Sequence, residues 1–486
     1  MDINNTPDTK PHILLIVARG EAVRNFLYSD TLPELCRHAR VTLLSVLHDE
    51  KFVARFGGMV DRVVPLNEHP EHWVVRILRE LILMAHYRWI WTEKVKNKWD
   101  LLDMQAETSW QKFRTQVLKG FAFLFAHRLG LNLLAFFEYH LSIILNPTDE
   151  FETLFARDLP DLVFNCSHIH APRGELPVRV AHKMGIPTAT FIFSWDNLSS
   201  RGRILPPYDD YLVWHQGMKA ELLHLYHFIK PARVHITGTP QFDYHFKLQF
   251  QQTYQELAQR INLDPTRPFI LYTTGMERDF PQEVDHVKTV ISILQEIEES
   301  KRPQLVVRTY VKGNSPEMEA LAAAMQDDSD VFFPEVLWDP TWFMPQYEDL
   351  AIYTSLLKHC LFGINPASTV SLELMMFDKP VINIGFDPPG SDLPDCLRWR
   401  RHIEFDHYQP VAQSGGVRVA YSVEDMRDFI HDFLANGNPL SDQQKAFLTD
   451  TFGDTLDGES GRCAADVLLR LATQPLSTDI SSGNSY

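Results

Sequence analysis

The stretch FGINPASTVSLELMMFDKPVINIGFD, residues 362–387, decides the fold that we predict for this chain. Residues 360–364 form an apolar run that predicts a buried strand, and the run at 380–384 predicts a second one. Between them, a turn at Asn365 leads into a helix predicted over residues 368–377. Strand, helix and strand in this order form half of a parallel α/β unit, so the sequence predicts the α/β fold class.

The start of this predicted helix carries small hydroxyl residues. Ser368 and Thr369 are favourable at a helix N-terminus, where free backbone N–H groups bind anions such as phosphate. Glu373 follows about one turn later, at about 1.5 Å per residue, within reach of a ribose hydroxyl. The same spacing is typical of an ordinary capped helix with an exposed glutamate, and both interpretations stay open at this point.

The stretch also resembles a known nucleotide-binding segment. Residues 365–369, Glu373 and residues 378–382 together look like the donor segment of GT-B glycosyltransferases, the UDP-glycosyltransferase and glycogen phosphorylase-like superfamily. The segment is similar also in UDP-N-acetylglucosamine 2-epimerases and CDP-glycerol glycerophosphotransferases. The resemblance implies that Ser368 and Thr369 hold the donor diphosphate and that Glu373 holds the ribose. It implies a nucleotide sugar as substrate and no cofactor.

Two more segments in the second half of the chain fit a donor site. Residues 269–273 predict a strand, and the turn Thr274-Gly275 after it begins the second Rossmann half. The strand predicted at 304–309 looks like the Arg-bearing strand of the glycerophosphotransferases, although their following His-Pro is absent. We therefore predict Thr274 and Gly275 as donor-binding residues, and Arg308 as a phosphate contact.

The first half of the chain opens with a similar pattern. The apolar run 12–18 predicts a strand, and Arg19-Gly20-Glu21 leads from it into a predicted helix. Ligands of such sheets bind beyond the carboxyl ends of the strands, so Arg19 is predicted to line a cleft and Glu21 is a candidate catalytic base. An acid in a first helical turn is also explained by the helix dipole, and that alternative stays open.

Polar side chains concentrate in two later loops of the first half. Residues 194–202 combine a carboxylate, an amide, hydroxyls and a cation, more than a connection requires, and Asp196 is a second candidate base. Residues 167–174 hold two histidines, which could form a metal pair, but no third ligand stands out. We predict a solvated or acceptor-binding loop there and no metal site. The residues predicted to line the cleft are Arg19, His168, His170, Trp195, Asn197 and Arg201.

A long, aromatic-rich helical stretch at residues 67–149 interrupts the first half and predicts an insertion. Within it, residues 117–145 are strongly apolar but contain Lys119, Arg128 and Glu138. This mixture is compatible with an amphipathic helix at a membrane surface. A helical pair packed on its own domain would show the same pattern, so both interpretations stay open.

Length and composition narrow the classes of protein. At 486 residues the chain exceeds one ordinary domain, and two cores of roughly 200 residues are expected. The net charge of -17 argues against a general nucleic-acid binder, because phosphate backbones are held by clustered Lys and Arg. Five scattered cysteines without a CxxC pair indicate neither a disulfide framework nor a zinc site. The N-terminus lacks the pattern of a secretory signal, and no uncharged apolar stretch reaches ~20 residues. We therefore expect a cytoplasmic protein without a spanning helix, with peripheral contact at the inner face of the membrane left open.

The predicted fold is α/β, with two Rossmann-like domains facing across a cleft as in GT-B enzymes and a helical insertion in the first. The predicted parts are an N-terminal acceptor domain at 11–243 with the insertion at about 67–149, a linker at 244–267, a nucleotide-donor domain at 268–474 and a disordered tail at 475–486.

The resemblance implies a metal-independent glycosyltransferase, moving a sugar from a nucleotide sugar to a cell-surface glycan or lipid-linked acceptor. A CDP-glycerol-type glycerophosphotransferase and a nucleotide-sugar 2-epimerase remain alternatives, as does a scaffold with a decayed site.

Overall fold

The computed structural model describes residues 10–169, 172–437 and 440–474. In these residues the strands are β1 (His12–Val17), β2 (Arg40–Ser45), β3 (Arg62–Pro65), β4 (Leu162–Asn165), β5 (Thr188–Phe191), β6 (Asp210–Val213), β7 (Val234–Ile236), β8 (Phe269–Thr273), β9 (Gln304–Arg308), β10 (Val331–Phe332), β11 (Trp338–Asp339), β12 (Met344–Pro345), β13 (Gly363–Asn365), β14 (Val381–Ile384) and β15 (Val417–Ala420).

The α-helices in the same described ranges are α1 (Gly20–Ala22), α2 (Thr31–His38), α3 (Glu50–Phe56), α4 (Trp73–Ile90), α5 (Glu93–Met104), α6 (Ser109–Phe125), α7 (Arg128–Leu145), α8 (Asp149–Asp158), α9 (Glu175–Lys183), α10 (Asn197–Ser200), α11 (Gln216–Leu225), α12 (Pro240–Phe246), α13 (Tyr254–Ile261), α14 (Glu283–Gln295), α15 (Pro316–Ala324), α16 (Tyr347–His359), α17 (Val370–Met376), α18 (Arg400–Glu404), α19 (Gln409–Gln413), α20 (Val423–Asn436), α21 (Asp442–Phe452) and α22 (Ser460–Thr473).

The first sheet, as far as the chain is described, has seven parallel strands in the order β3-β2-β1-β4-β5-β6-β7. Every residue of β1 and β4 is buried, because helices cover both faces of a parallel sheet. The strand order reverses between β1 and β4, and the carboxyl ends at such a reversal point form the crevice where doubly wound sheets bind ligands.

The second sheet has six parallel strands among the described residues, in the order β10-β9-β8-β13-β14-β15. Counted along its own segment this is the order 3-2-1-4-5-6, which the first six strands of the first sheet also follow. Its reversal point lies between β8 and β13. Both sheets therefore have the strand order of a Rossmann fold, as the sequence predicted.

The deciding stretch 362–387 folds as β13, α17 and β14, in the predicted order. The helix begins at Val370, two residues later than predicted, with Thr369 as its N-cap residue. It ends after seven residues, because Asp378 takes a left-handed backbone conformation with φ of 56°. Ser368 lies in the turn before the helix, so this helix and its dipole are smaller than the prediction required.

Two compact units divide the chain. Among the described residues, unit 1 comprises 10–89, 113–169, 172–243 and 459–474. Unit 2 comprises residues 90–112 and 244–458. Each unit contains one of the two parallel sheets. The predicted tail at 475–486 lies outside the described residues.

The last helix groups differently from the predicted domains, since α22 packs on α2 in unit 1. The backbone N–H of Gly461 donates to Asp243 Oδ2 at 2.7 Å. Thr31 Oγ1 in turn donates to the carbonyl oxygen of Gly461 at 2.9 Å. These contacts attach the end of the described chain to the first sheet's unit.

Helix α5 of the insertion also groups differently, because it packs on α18 in unit 2. The backbone N–H of Glu93 donates to Asp406 Oδ2 at 2.5 Å, and the Lys94 ammonium lies 4.1 Å from the centre of the Phe405 ring. We predicted the whole insertion in the first domain, and the structure places this helix elsewhere.

One helix in the described residues, α7, is long and apolar enough to cross a membrane by length and composition. Its mean hydropathy is 1.2 and 39% of it is buried. We expected no helix with these properties from the sequence.

Candidate functional site

The carboxyl ends of β8 and β13 lie side by side in unit 2, because the two strands are paired in parallel. The turns after these strands therefore share one edge of the sheet, at its reversal point. Four of the six predicted donor-binding residues belong to these turns, namely Thr274, Gly275, Ser368 and Thr369.

Glu283 holds the turn after β8. The N–H of Gly275 donates to Glu283 Oε2 at 2.9 Å, and Thr274 Oγ1 accepts from the N–H of Tyr310 at 2.8 Å. A Cβ at Gly275 would lie 2.2 Å from Phe280 Cδ2, so only glycine fits without rearrangement. Burial raises the pKa of Glu283 to about 8, so this carboxyl stays mostly protonated at neutral pH.

Asn365 organises the turn after β13. Its Oδ1 accepts from Ser368 Oγ at 3.2 Å, and from Ser371 Oγ and Asn383 Nδ2 at 3.1 Å each. The Tyr408 hydroxyl extends this buried network by donating to Asn383 Oδ1 at 2.7 Å. The hydroxyl of Ser368, predicted to bind phosphate, thus stabilises its own turn in this structure.

Glu373 lies inside unit 2 with 8% of its surface exposed. Its Oε1 is 3.1 Å from His245 Nε2, and its Oε2 accepts from the Tyr353 hydroxyl at 2.7 Å. The interpretation as an exposed glutamate is therefore wrong. Each carboxylate oxygen has a second lone pair, so the ribose contact stays a prediction.

Arg308 is occupied by a buried ion pair. One guanidinium nitrogen lies 2.6 Å from Asp349 Oδ2, which also accepts from Trp338 Nε1 at 2.8 Å. The other donates to the carbonyl oxygen of Glu335 at 3.3 Å. We predicted Arg308 as a phosphate contact, but its charge is already neutralised, and removing Asp349 from it would leave a buried charge.

Arg19 and Glu21 lie just beyond the carboxyl end of β1 in unit 1. Arg19 Nε and Glu21 Oε2 form an ion pair at 2.9 Å, and Glu21 is buried. The ion pair engages one carboxylate oxygen of Glu21, which does not prevent the group from taking a proton, so its role as a base stays a prediction.

Asp196 organises the loop after β5. Its carboxylate accepts from Ser194 Oγ at 2.6 Å, Ser200 Oγ at 2.9 Å and Asn197 Nδ2 at 3.2 Å. Asn197 Oδ1 in turn accepts from the N–H of Ser194 at 3.0 Å. Trp195, next in this loop, is half-buried. The polar side chains that the sequence concentrates in this loop therefore bond to one another within it.

Glu221, on α11, is a titratable group that the sequence analysis missed. Burial, together with the negative charge of Asp196, raises its pKa to about 7. A carboxyl with this pKa exchanges a proton readily at neutral pH. Glu221 is therefore a further candidate base beside Glu21 and Asp196.

His168 is buried beside β5, with Nδ1 at 3.2 Å from the carbonyl oxygen of Phe191. Burial lowers the pKa of His168 to about 3, and the nearby Arg201 acts in the same direction. The ring is therefore neutral at physiological pH. His170, predicted beside it, lies outside the described residues.

In the part of the chain that the structure describes, no group of three His, Cys, Asp or Glu side chains could hold a metal ion. The sequence contains an Asp-x-Asp triplet at residues 328–330. Asp330 forms ion pairs at 2.8 Å with both Arg267 and Arg302, so it has a structural role in unit 2.

A cavity of about 460 Å³ opens in unit 1. Arg79 lines this cavity and forms ion pairs with Glu71, Glu138 and Glu175 at 2.9, 2.7 and 2.5 Å. The buried Arg179 binds Glu138 as well, at 2.8 Å. The residues that line the cavity are Asn67, Glu68, His69, Pro70, Glu71, Arg79, Ser142, Asn146, Phe151, Arg173, Leu176 and Arg179.

The structure is similar to solved UDP-N-acetylglucosamine 2-epimerases. One has 12% sequence identity and a TM-score of 0.51, over 96% of this chain and 97% of its own. The Neisseria meningitidis enzyme bound to UDP-GlcNAc has 11% identity and a TM-score of 0.51, over 94% and 100%. The S. aureus MnaA-UDP co-structure has 11% identity and a TM-score of 0.50, over 96% and 98%.

The chain has the GT-B fold. The predicted fold class, α/β with two Rossmann-like sheets, is thereby confirmed. No protein-family model matches the sequence, and no curated protein matches it. At this level of identity the likeness establishes the fold.

Sequence reasoning missed several residues that organise these sites. Asn365 stood in the quoted stretch but was assigned only to a turn. Glu221 shares a helix face with Met218 and Leu225, and Glu283 shares one with Val287 and Val290. An acidic residue on an apolar helix face is a signal of a buried carboxyl, and it was available in the sequence.

Proposed function

We propose that this protein is a glycosyltransferase that takes a sugar from a nucleotide-sugar donor held by unit 2 and transfers it to an acceptor held by unit 1. The observation that supports this proposal most strongly is the pair of hydrogen-bonded turns at the reversal point between β8 and β13. Support comes from two proteins of similar fold that were solved with UDP-GlcNAc and with UDP.

In this proposal the backbone of the two turns and the Thr369 side chain contact the donor diphosphate, and Glu373 contacts the ribose. Because Arg308 is neutralised by Asp349, another cation must balance the phosphates. Arg278 lies in the loop after β8, its side chain is 69% exposed, and its contact with Asp279 Oδ1 is long, at 3.7 Å. We therefore assign the predicted role of Arg308 to Arg278.

The transfer forms a bond between the acceptor oxygen and the anomeric carbon of the sugar, and breaks the bond from that carbon to the phosphate oxygen. The nucleoside diphosphate leaves with the electron pair. In an inverting reaction a base takes the acceptor's hydroxyl proton, and Glu221 has the pKa suited to that step at neutral pH. The acceptor class is a cell-surface glycan or a lipid-linked glycan, and no metal ion or cofactor takes part.

A second candidate is a nucleotide-sugar 2-epimerase, because the similar structures include several 2-epimerases. An epimerase would use the same donor site in unit 2 but would need no acceptor. The two candidates therefore differ in what happens to the donor alone.

The test incubates the protein with UDP-, CDP-, GDP- and dTDP-sugars, with and without a short polyprenyl-phosphate-linked sugar as acceptor probe. NMR then follows the anomeric and C2 protons and the release of nucleoside diphosphate. We expect release that depends on the acceptor. Conversion of a UDP-sugar at C2 without release would support the epimerase instead, and binding of no nucleotide sugar would contradict both.

A further inference from the structure

Helices α6 and α7 follow each other with two residues between them, and we call residues 113–145, all of them described, the apolar hairpin. Ten large apolar side chains of this hairpin are exposed: Phe113, Val117, Phe121, Phe123, Leu124, Leu129, Leu133, Phe136, Phe137 and Ile144. Exposed apolar residues scattered singly are ordinary, but a cluster of this size marks an interaction surface.

The exposed side chains recur at helical spacing. Phe113, Val117, Phe121 and Leu124 line one face of α6. Leu129, Leu133, Phe136, Phe137 and Ile144 line one face of α7. Spacings of three and four residues place each set along one stripe of its helix. Two consecutive helices therefore turn an apolar stripe toward the outside.

The polarity of α7 is inverted relative to a helix of a water-soluble surface. Its inward face carries Glu138, which is fully buried and bonded to Arg79 and Arg179. Burial raises the pKa of Glu138, but the two guanidinium groups outweigh it and hold the pKa below its ordinary value. Glu138 thus binds this helix to its own unit, while phenylalanine and leucine side chains face outward.

The charges of the hairpin complement an anionic surface. The chain carries a net charge of -17, yet Glu138 is the single acidic residue between 113 and 145. It is buried, whereas Arg128 at the hairpin turn is exposed; of the other cations, Lys119 is buried and Arg114 is paired with Glu80. The exposed surface of the hairpin therefore carries the Arg128 cation and no carboxylate.

We propose that this hairpin inserts its exposed face into the boundary between headgroups and acyl chains of a bilayer containing anionic lipid. Apolar stripes with flanking cations bind such surfaces, through buried apolar area and attraction to anionic lipids. Helix α7 lies in the plane of the interface, because its inner face is fixed by Glu138 and by the bond from Arg203 to Asn132 Oδ1 at 2.6 Å. This surface stands independently of the proposed enzymatic function.

The experiment is vesicle flotation of the full chain, with vesicles of phosphatidylcholine alone or with phosphatidylglycerol added. We expect the protein to float with the anionic vesicles, and a Leu129→Asp/Phe137→Asp double variant to lose at least about 10-fold of the floated fraction. Leu129 is 78% exposed, so the change leaves the core intact. Leu248→Asp is the matched control, because Leu248 is 83% exposed outside the hairpin. It should float as the unchanged protein does.

Circular dichroism and melting of each variant confirm that it is folded. Protein that stays at the bottom with both vesicle types overturns the proposal, and so does a folded double variant that floats normally. Sedimentation velocity tests the alternative that a second copy of the chain covers the hairpin. A dimer that the double variant dissociates, without flotation of the unchanged protein, also overturns the proposal. Nucleotide binding in solution is measured separately, so failure of the enzymatic proposal is distinguishable.

Discussion

Glu373 shows how one side chain can serve both the fold and the proposed donor site. Its two oxygens bind His245 and Tyr353 inside unit 2, and each retains a lone pair for a ribose hydroxyl. A carboxylate held on two sides keeps one orientation, which a ligand contact requires. The residue can be tested by a change that preserves its shape.

The first prediction concerns Glu373→Gln. The amide keeps an oxygen for the Tyr353 hydroxyl but loses the charge that strengthens a bond to ribose. We expect affinity for UDP to fall about 10-fold, because a hydrogen bond to a charged group contributes about 1.5 kcal/mol or more. Affinity for pyrophosphate should stay within about two-fold, since it has no ribose. Isothermal titration calorimetry measures both, and equal losses for the two ligands would show that Glu373 does not contact ribose.

The second prediction concerns Glu221, whose pKa burial raises from 4.5 to about 7. If it is the base, turnover rises with pH toward 7 as the carboxylate forms, and Glu221→Gln loses roughly 100-fold with donor affinity unchanged. Glu21→Gln and Asp196→Asn are compared under the same conditions. Full turnover by Glu221→Gln would exclude Glu221 and leave Glu21 and Asp196 as the candidate bases.

The same shift has a consequence for stability. The folded protein holds the Glu221 proton more tightly than the unfolded chain does, so this residue lowers the free energy of unfolding as the pH rises from about 4.5 to 7. The free energy of unfolding of Glu221→Gln, taken relative to that of the unchanged protein, should therefore be higher at pH 7 than at pH 4.5. Urea unfolding at the two pH values checks this sign, and a change in the opposite direction would contradict the raised pKa.

At the scale of elements, the pair of Arg308 and Asp349 connects β9 to α16. The third prediction is that Asp349→Ala lowers the free energy of unfolding of unit 2 by about 3 to 5 kcal/mol, because it leaves a buried guanidinium without its partner. Glu298→Ala is the control, since its pair with Lys301 is exposed and screened by solvent, and such pairs contribute little to stability. Denaturant unfolding compares them, and equal effects would contradict a structural role for the Arg308 pair.

The order of the elements was predictable because each strand of a parallel sheet is a short apolar run, and 362–387 contains two such runs around a helix. The start of α17 was displaced by two residues, because Asn365 binds the hydroxyls of Ser368 and Ser371 and extends the turn. The positions of α5 and α22 were not predictable, because they depend on pairs far apart in sequence, such as Glu93 with Asp406.

The candidate site was predictable only in part, for a related reason. The turns at 274–275 and 368–369 follow strands, and topology alone brings them to one edge. Whether a charged side chain is available for a ligand depends on its three-dimensional partners. Asp349 lies 41 residues from Arg308, and nothing local in the sequence signals that they pair.

At the scale of the whole molecule, two units repeat one strand order, and each has a reversal point where ligands of such sheets bind. The proposed division of labour gives the donor to unit 2 and the acceptor to unit 1. In these two proposals, the apolar hairpin of unit 1 is the surface that brings the enzyme to a lipid-linked acceptor.

The measurement that tests the central claim most directly is the melting temperature of the protein with UDP, CDP, GDP, dTDP and their sugars. A ligand at 100 times its dissociation constant stabilises the folded state by ~2.7 kcal/mol, which raises the melting temperature by several degrees. We expect such a rise for at least one nucleotide. Thr369→Trp fills the turn after β13 and should abolish the rise. Ser300→Trp adds the same bulk at an exposed site elsewhere in unit 2 and should keep it. No rise with any nucleotide, or an equal rise in the Thr369 variant, would contradict the account.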